Sequence, residues 1–191
     1  MQLFLKVAKQ SKEMFGIKKK INLLLNFDGA CRGNPGHSSG GYVLKVLRDG
    51  VVANDMRAGY VLEGQRTNNE AEYTGLRIGL LRTLKHLNDN RQECNGCHIL
   101  VQGDSKLVIN HVIGKFRCKA ENLQPLLKEC LDTINIIKTQ HQCKMNFVHV
   151  LREHNKEADA MANKLLDEDN DRRAAAAKKL NDIGKKKPTK V

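Results

Sequence analysis

The chain contains one mainly apolar run that ends in an acidic residue and a glycine-rich turn, and this feature constrains its fold most. Ile21 to Phe27 has the length of a buried strand, Asp28 follows directly, and the turn sequence Gly33-Asn34-Pro35-Gly36 lies shortly downstream. A carboxylate at the edge of a core is costly unless a cation or hydrogen-bond donors meet it. We therefore predict a strand with Asp28 at its carboxyl end and a partner for that carboxylate.

Three later segments place acidic residues in comparable contexts. They are Thr67-Asn68-Asn69-Glu70-Ala71-Glu72-Tyr73, Ile99-Leu100-Val101-Gln102-Gly103-Asp104-Ser105 and Asn155-Lys156-Glu157-Ala158-Asp159. Together the four segments follow the pattern DG…GNPG, TNN…E, DS and N…AD, and the chain thereby resembles the type 1 ribonuclease H family over roughly residues 21 to 167. Any one motif is weakly specific, but four in this order are strongly specific.

Periodicity and turn residues predict five strands and four helices. The strands are Ile21–Asp28, Gly40–Leu47, Val51–Leu62, His98–Asp104 and Lys144–Leu151. The helices start at Thr67, at Leu107 (to Ile113), at Leu123 (to Ile137) and after Asn155, which caps a helix through Leu166 and on towards Leu180. The turn Arg48-Asp49-Gly50 makes the first three strands an antiparallel meander. This order predicts an α/β fold, a mixed five-stranded sheet flanked by helices, and the resemblance implies the ribonuclease H-like fold with strand order 3-2-1-4-5.

The two acids of the second segment have different predicted roles. Thr67 and Glu70 satisfy the capping-box rule, so Glu70 has a structural role at the start of the helix. Glu72 lies four residues before Leu76, the first of the leucines that recur at helical spacing on one face. Glu72 is therefore predicted to face the core, next to the sheet.

Asp28, Glu72, Asp104 and Asp159 are the predicted catalytic and metal-ligating residues. Taken singly, an Asp at a strand end is more often a turn former and an acid in a first helical turn complements the helix dipole. Gathered together, they would repel one another unless divalent cations neutralise them, and oxygen ligands favour Mg²⁺ or Mn²⁺ over Zn²⁺. The resemblance implies two metal ions that hydrolyse the RNA strand of an RNA–DNA hybrid and leave 5′-phosphate and 3′-hydroxyl ends.

The resemblance also implies contacts with the hybrid. The positions that match minor-groove readers of the family are Cys31, Asn34, Asn68 and Asn69. Thr67 matches its phosphate anchor for the DNA strand, and Lys106 stands where many members have Gln. The full predicted nucleic-acid-binding set is Cys31, Asn34, Thr67, Asn68, Asn69, Lys106 and Asn155. A contact with a 2′-hydroxyl is the direct way to distinguish RNA from DNA at such a site. For Thr67, helix capping alone is an adequate alternative.

Two departures from the bacterial form of the family bring the chain closer to archaeal and plant-type members. The loop before Asp159 is short, so His154 is either a proton shuttle or, as we favour, an exposed loop histidine. The segment Val112 to Leu123 lacks a tryptophan-bearing basic handle, although Lys115, Arg117 and Lys119 remain to follow the DNA phosphates, with Phe116 beside them.

The net charge of +12 is concentrated at the two ends of the chain. Residues 1–20 hold six Lys and one Glu, residues 171–191 hold eight Lys or Arg and two Asp, and the remainder is nearly neutral. We predict a basic N-terminal extension (1–20), a catalytic domain (21–167) and a helical then basic C-terminal tail (168–191). The basic ends either bind a polyanion or serve only solubility. The first 20 residues could form a basic amphipathic helix, but a loosely packed extension is favoured.

Six cysteines without a secretory signal predict free thiols and an intracellular protein, cytoplasmic or nuclear rather than secreted. Cys94 and Cys97 have the spacing of a zinc knuckle but lack a second ligand pair at the usual distance, so we interpret the spacing as coincidental. No apolar run reaches eighteen residues, and no membrane association is expected.

The first interpretation is therefore a monomeric, Mg²⁺-dependent ribonuclease H that acts on RNA–DNA hybrids. A catalytically silent hybrid-binding module of the same fold is the alternative, and intact carboxylates argue against it. A related DNA nuclease or a fragment of a reverse transcriptase is a third interpretation. Asn68 and Asn69 argue against the DNA nuclease, and the lack of a polymerase-like segment argues against the fragment.

Overall fold

A computed structural model describes residues 22–185, with side chains described for residues 22–180. The strands are β1 (Asn22–Gly33), β2 (Gly36–Arg48), β3 (Val51–Val61), β4 (His98–Gly103) and β5 (Lys144–His149). The helices are α1 (Asn68–Asp89), α2 (Arg91–Cys94), α3 (Lys106–Val112), α4 (Gln124–Gln140) and α5 (Lys156–Lys185), with a 3₁₀ turn at Arg152–His154 before α5. The predicted α/β class is confirmed.

The five strands form one mixed sheet in the order β3-β2-β1-β4-β5, as predicted. Strands β1, β2 and β3 pair antiparallel, while β4 lies parallel to both β1 and β5. Asp49 and Gly50 both have positive φ, 51° and 80°, which is the backbone of a two-residue hairpin turn with the hand of the strand twist. The predicted meander and its turn are thus confirmed.

The core lies between the sheet and helices α1, α3 and α4. Alternate residues of the central strands face it, and Leu25, Phe27, Ile99 and Val101 are all essentially buried there. The other face of β1 to β3 is covered by α5, where Ala162 and its neighbours form a smaller cluster. The central strands β1 and β4 therefore have one face in the main core, which fixes their register.

Glycines allow α1 to lie unusually close to β1 and β2. A Cβ on Gly75 would meet the backbone carbonyl of Asp28, and a Cβ on Gly29 would meet the backbone of Glu72. Any larger residue at either position would push the helix away from the sheet. The close approach is what brings the amino-terminal part of α1 beside Asp28 and Gly29 of β1.

The structure differs from the predicted elements at several ends. Strand β1 continues for five residues beyond Asp28, because its antiparallel pairing with β2 runs on to Gly33 and Gly36. Its parallel pairing with β4 stops earlier, at Asn26 and Gln102. Asp28 is therefore inside an extended strand, just beyond the point where β1 and β4 separate, and not at the strand end that the sequence predicted.

The remaining predictions concern the N-terminal extension, the length of the last helix and membrane-spanning segments. The predicted extension 1–20 lies outside the described residues, as does Ile21. Helix α5 runs on to Lys185, past the predicted Leu166 and Leu180, and residues 171–180 are all exposed. No helix within residues 22–185 combines the length and the apolar character needed to cross a bilayer.

Candidate active site

Three carboxylates meet where β1 and β4 separate. Asp28 comes from β1, Glu72 from the amino-terminal part of α1 and Asp104 from the residue after β4, and one ligand oxygen of each lies within 4.8 Å of the other two. Asp28 and Glu72 are only 3% and 6% exposed. The structure therefore brings together three of the four predicted metal-ligating residues and separates Glu72 from Glu70.

The trio is electrostatically strained in the absence of cations. Burial, followed by the negative charge of Asp104, raises the pKa of Asp28 to about 7. Burial and then the charges of Asp28 and Asp104 raise the pKa of Glu72 well above its ordinary value. Glu72 Oε2 is buried and has no hydrogen-bond partner among the described residues. An unpartnered buried carboxylate oxygen beside two other acids fits a site for oxygen-ligated divalent cations.

Glu70, two residues before Glu72, has the structural role predicted for it. Its Oε2 accepts from the Thr67 amide at 2.9 Å, and the Thr67 hydroxyl accepts from the Glu70 amide at 3.3 Å, so the capping box is complete. Burial works against ionisation here, but the hydrogen bonds from Thr67 outweigh it and lower the pKa of Glu70. Two acids that lie two residues apart on α1 thus have pKa shifts of opposite sign.

Asp159, the fourth predicted acid, lines the same depression, which has a volume of about 300 Å³. Its Oδ1 accepts a 2.6 Å hydrogen bond from Nη2 of Arg152, a largely exposed side chain. Sequence reasoning did not single out Arg152, although its position seven residues before Asp159 places it in the loop that leads into α5. Asn163, one helical turn after Asp159, also lines the depression and was likewise missed.

Asn155 has a different position from the one predicted for a nucleic-acid contact. It is 1% exposed, and its side-chain amide donates to Asp104 Oδ1 at 3.0 Å and to the Phe27 carbonyl at 2.8 Å. A side chain so buried cannot lie against a nucleic acid in this arrangement. Asn155 does precede α5 as predicted, but its side chain orients Asp104 and ties it to β1 instead of capping the helix.

The other predicted nucleic-acid contacts lie around the depression or near it. Cys31 and Asn68 line it together with the carboxylates. Asn34, in the turn after β1, accepts a hydrogen bond from the Asn68 amide through Oδ1 at 3.1 Å. Lys106, the first residue of α3, is exposed. No described feature tests whether any of these residues, or Thr67 and Asn69, contacts a nucleic acid, so these contacts remain predictions.

The two loops that the sequence flagged are both short and irregular. His154 lies in the 3₁₀ turn, 3.5 Å from Glu153, and it lines a groove on the far side of Asn155 rather than the carboxylate depression. His149, which the sequence analysis passed over, is closer to the site because its Nε2 lies 3.1 Å from the Asp104 carbonyl oxygen. Residues 113–123 form no helix, and Lys115, Phe116, Arg117 and Lys119 are exposed there.

Comparison with known families and structures agrees with this geometry. Residues 26–165 match the family model described as reverse transcriptase-like. The chain is 28% identical over 169 residues to the bifunctional protein Rv2228c of Mycobacterium tuberculosis, which covers 88% of the chain and 42% of that protein. It is 32% identical over 142 residues to ribonuclease HI of Halobacterium salinarum, with coverage of 74% and 63%. The chain thus spans less than half the length of its mycobacterial relatives.

Solved structures of ribonuclease H proteins are also similar to this chain. The N-terminal ribonuclease H domain of Rv2228c, solved as a fusion with maltose-binding protein, has a TM-score of 0.62 at 28% identity and covers 78% of this chain and 95% of that one. Ribonuclease H1 of Halobacterium salinarum has a TM-score of 0.56 at 30% identity, with coverage of 77% and 98%. LC11-RNase H1, solved in complex with an RNA/DNA hybrid, has a TM-score of 0.57 at 30% identity, with coverage of 78% and 98%. With its fold and acidic trio, the chain belongs to the reverse transcriptase-like family and, within it, to the type 1 ribonucleases H.

Proposed function

We propose that this protein is an endonuclease that hydrolyses the RNA strand of RNA–DNA hybrids. The observation that carries the proposal is the meeting of Asp28, Glu72 and Asp104, with Asp159 on the wall of the same depression. Burying ionisable acids against one another is unfavourable for folding, so their retention points to a role for the cluster. The complex of LC11-RNase H1 with an RNA/DNA hybrid supports the choice of substrate.

The four carboxylates would hold two Mg²⁺ or Mn²⁺ ions. When bound, such ions supply an activated water for in-line attack on a phosphodiester and stabilise the departing 3′-oxygen. The protein's own contribution is to hold the acids in place. Asn155 fixes Asp104 through its side-chain amide, and the Gly29 backbone amide donates to Asp28 Oδ1 at 2.8 Å. The close packing of the amino-terminal part of α1 on β1 orients Glu72.

Arg152 has a separate role in this proposal. Its guanidinium lies beside Asp159 at the exposed rim of the depression. A guanidinium at that position can meet a phosphate oxygen of the substrate with paired hydrogen bonds. It also holds Asp159 until the substrate arrives.

Recognition of the RNA strand would fall to the residues on the wall of the depression. The Asn68 side chain is exposed there, and the Asn68 backbone amide donates to Asn34 Oδ1. The turn after β1 and the start of α1 therefore form one surface. Amide side chains of this kind can both donate to and accept from a 2′-hydroxyl. We propose that this surface selects RNA and that the protein acts as a monomer.

The proposal is tested by incubating the full chain with a labelled RNA–DNA hybrid, the matching double-stranded RNA and double-stranded DNA. Each reaction contains Mg²⁺ or a chelator, and the variants Asp28→Asn and Asp132→Asn are run in parallel. Asp132 is an exposed surface partner of Lys128 and serves as the matched control. We expect cleavage of the hybrid RNA alone, with 5′-phosphate products, and its loss with chelator and with Asp28→Asn only. Tight hybrid binding without cleavage would instead identify a binding module.

The basic residues outside the site would bind the hybrid in place of the basic handle that the bacterial form of the family has. Residues 171–180 project as an exposed stretch of α5 that carries Arg172, Arg173, Lys178 and Lys179. Deleting residues 171–191 should weaken hybrid binding and reduce the dependence of log Kd on log salt concentration. Unchanged affinity and salt dependence would show that these residues do not bind the hybrid.

A further inference from the structure

The amino ends of β4 and β5 carry two cysteines that face each other. Cys97 immediately precedes β4 and Cys143 immediately precedes β5, and the first paired residues of these parallel strands are His98 and Lys144. The Lys144 amide donates to the Cys97 carbonyl at 3.1 Å, so the pairing extends to the cysteines themselves. Neighbouring strands lie about 4.8 Å apart, which is within the Cα separation of disulfide-bonded cysteines, about 4.4 to 6.8 Å.

The two thiols are in direct contact. Their sulfurs are 3.3 Å apart, and Cys97 and Cys143 are only 2% and 4% exposed. The hydrogen bond from Cys97, which the backbone amides of Cys97 and Gly96 reinforce, lowers the pKa of the Cys143 thiol. The same hydrogen bond, followed by burial, raises the pKa of Cys97. Either sulfur can donate in this contact, and the pKa shifts make Cys143 the more readily ionised thiol of the two.

We propose that Cys97 and Cys143 form a reversible disulfide that joins the edge strand β5 to β4. The oxidant is a peroxide. The Cys143 thiolate attacks a peroxide oxygen and breaks the O–O bond, which yields a sulfenic acid and hydroxide. Cys97 sulfur then attacks the Cys143 sulfur, its proton leaves with the hydroxyl as water, and the earlier hydroxide takes up the Cys143 proton as a second water. Two thiols thus lose two electrons, and a dithiol reverses the reaction by exchange.

A metal site is the competing use of these thiols. The third cysteine of the region, Cys94, lies 3.9 Å from Nε2 of His86, so the structure does bring further ligands near the predicted zinc-knuckle spacing. However, within residues 22–180 only the acidic trio has three ligand atoms mutually within 4.8 Å, so the Cys94 sulfur lies more than 4.8 Å from at least one sulfur of the Cys97–Cys143 pair. The geometry therefore favours a bond between two sulfurs over coordination by three.

The disulfide would act on stability rather than on the carboxylate site. It would close a loop of about 47 residues, which the chain-entropy account associates with a substantial loss of unfolded-state freedom. Strand β4 separates the pair from Asp104 by about 20 Å, given its rise of about 3.3 Å per residue and its length from His98 to Gly103. A cross-link at this end leaves the register of the β4–β5 pairing unchanged.

The experiment treats the reduced full chain with hydrogen peroxide and measures its intact mass, its disulfide map and its Tm. We expect a mass lower by two hydrogen atoms, one cross-linked peptide containing Cys97 and Cys143, and a rise in Tm on the order of 10 °C that dithiothreitol reverses. Cys118→Ser, which removes a thiol outside the pair, should behave like the wild type. Cys143→Ser and Cys97→Ser should show no loss of two hydrogen atoms, no cross-linked peptide and no rise in Tm.

Three results would overturn the proposal, and none depends on the folding of a variant. They are two thiols that stay free in the wild type after treatment, oxygen adducts on Cys143 without a cross-link, and a stoichiometric zinc ion that these thiols hold in the purified protein. Hydrolysis of the hybrid is measured on the same samples. Because the disulfide lies far from the carboxylates, its presence or absence is independent of whether the proposed nuclease activity is found.

Discussion

The two ends of strand β4 differ in how they satisfy their polar groups. At the carboxyl end, Asp104 lies against Asp28 and Glu72, and one buried oxygen has no partner among the described residues. At the amino end, the thiols of Cys97 and Cys143 hydrogen-bond to each other within the core. The carboxyl end of β4 therefore destabilises the folded state, whereas the amino end stabilises it.

This difference shows where the fold retains unfavourable interactions and where it removes them. A buried carboxylate with a raised pKa costs stability at neutral pH, because the unfolded chain ionises freely. The same sheet is densely packed at Ile99 and Val101, only a few residues from Asp104. Such local conflict in an otherwise consistent structure is typical of functional sites.

Replacing Asp28 with Asn should have opposite effects on activity and stability. Activity on the hybrid should fall by about 10³-fold or more, equivalent to about 4 kcal/mol of transition-state stabilisation. In the presence of chelator, the free energy of unfolding at pH 8 should rise by about 1 kcal/mol or more, because one charge leaves a repulsive cluster. Initial rates and urea unfolding measure the two effects. A variant that lost both activity and stability would show that the trio is not a strained site.

Asn155→Ala should lower activity by about 10- to 100-fold, since the Asp104 carboxylate loses its orienting donor. The variant should also lose stability, because the Phe27 carbonyl is left without its buried partner. Steady-state kinetics with Asn135→Ala, an exposed asparagine of α4, provide the control. Unchanged kinetics would mean that Asp104 does not depend on Asn155.

Cys97→Ala should lower the stability of the protein without changing its activity. Loss of a buried, packed sulfur should lower the free energy of unfolding of the reduced protein by about 1–2 kcal/mol. Hydrolysis rates below the unfolding temperature should equal those of the wild type, because the substitution is at the far end of β4. Denaturant titration and initial rates measure both quantities, and a large fall in rate would show that the two ends are coupled.

The stability of the protein in chelator should fall as the pH rises from about 4 through about 7. Asp28 and Glu72 have folded-state pKa values above their unfolded values, so the folded state binds more protons across this window. The decline begins where the unfolded Asp28 carboxyl ionises, near its ordinary pKa of 3.8, and the contribution of Asp28 is lost as the pH passes about 7. Tm measured across this range should show the decline in the wild type and a smaller one in Asp28→Asn. Added Mg²⁺ should flatten it, and an equally steep decline in the variant would assign the effect to other groups.

Thr67→Ala should cost about 1 kcal/mol of stability through loss of the helix cap. Activity should change little if Thr67 only caps α1, and hybrid affinity should fall as well if it also anchors a phosphate. Chemical denaturation and hybrid titration separate these outcomes. Thr139→Ala, on the exposed surface of α4, is the matched control.

The sequence was sufficient for the start of α1 and the orientation of Glu72 because both depend on local rules, whereas the strand order came from the resemblance to the type 1 ribonuclease H family. The Thr67 and Glu70 capping box fixes where α1 begins, and helical spacing from Leu76 then places Glu72 towards the sheet. Along β4, period-2 alternation likewise buries Ile99 and Val101 and leaves Leu100 and Gln102 less buried on the other side. Patterns of this kind depend on a few neighbouring residues, so they are readable without a structure.

The features that were missed depend on contacts between distant segments. The burial of Asn155 against Phe27 and Asp104 joins residues 128 and 51 positions apart, and no local signal marks it. The same holds for Cys143, which meets Cys97 only because β5 lies beside β4. The extension of β1 past Asp28 arises from pairing with β2, which apolar patterning alone does not reveal.

Helix α5 gives the molecule a fixed measure of length. Asp159 lies in its first turn and Lys179 near its far end, and both belong to one continuous helix. At 1.5 Å per residue, these two positions are about 30 Å apart along the helix axis. A ligand held at Lys179 is therefore kept at that distance from the acidic depression, which corresponds to about nine base pairs of a duplex. The helix thus sets the spacing between the acidic depression and this exposed basic stretch.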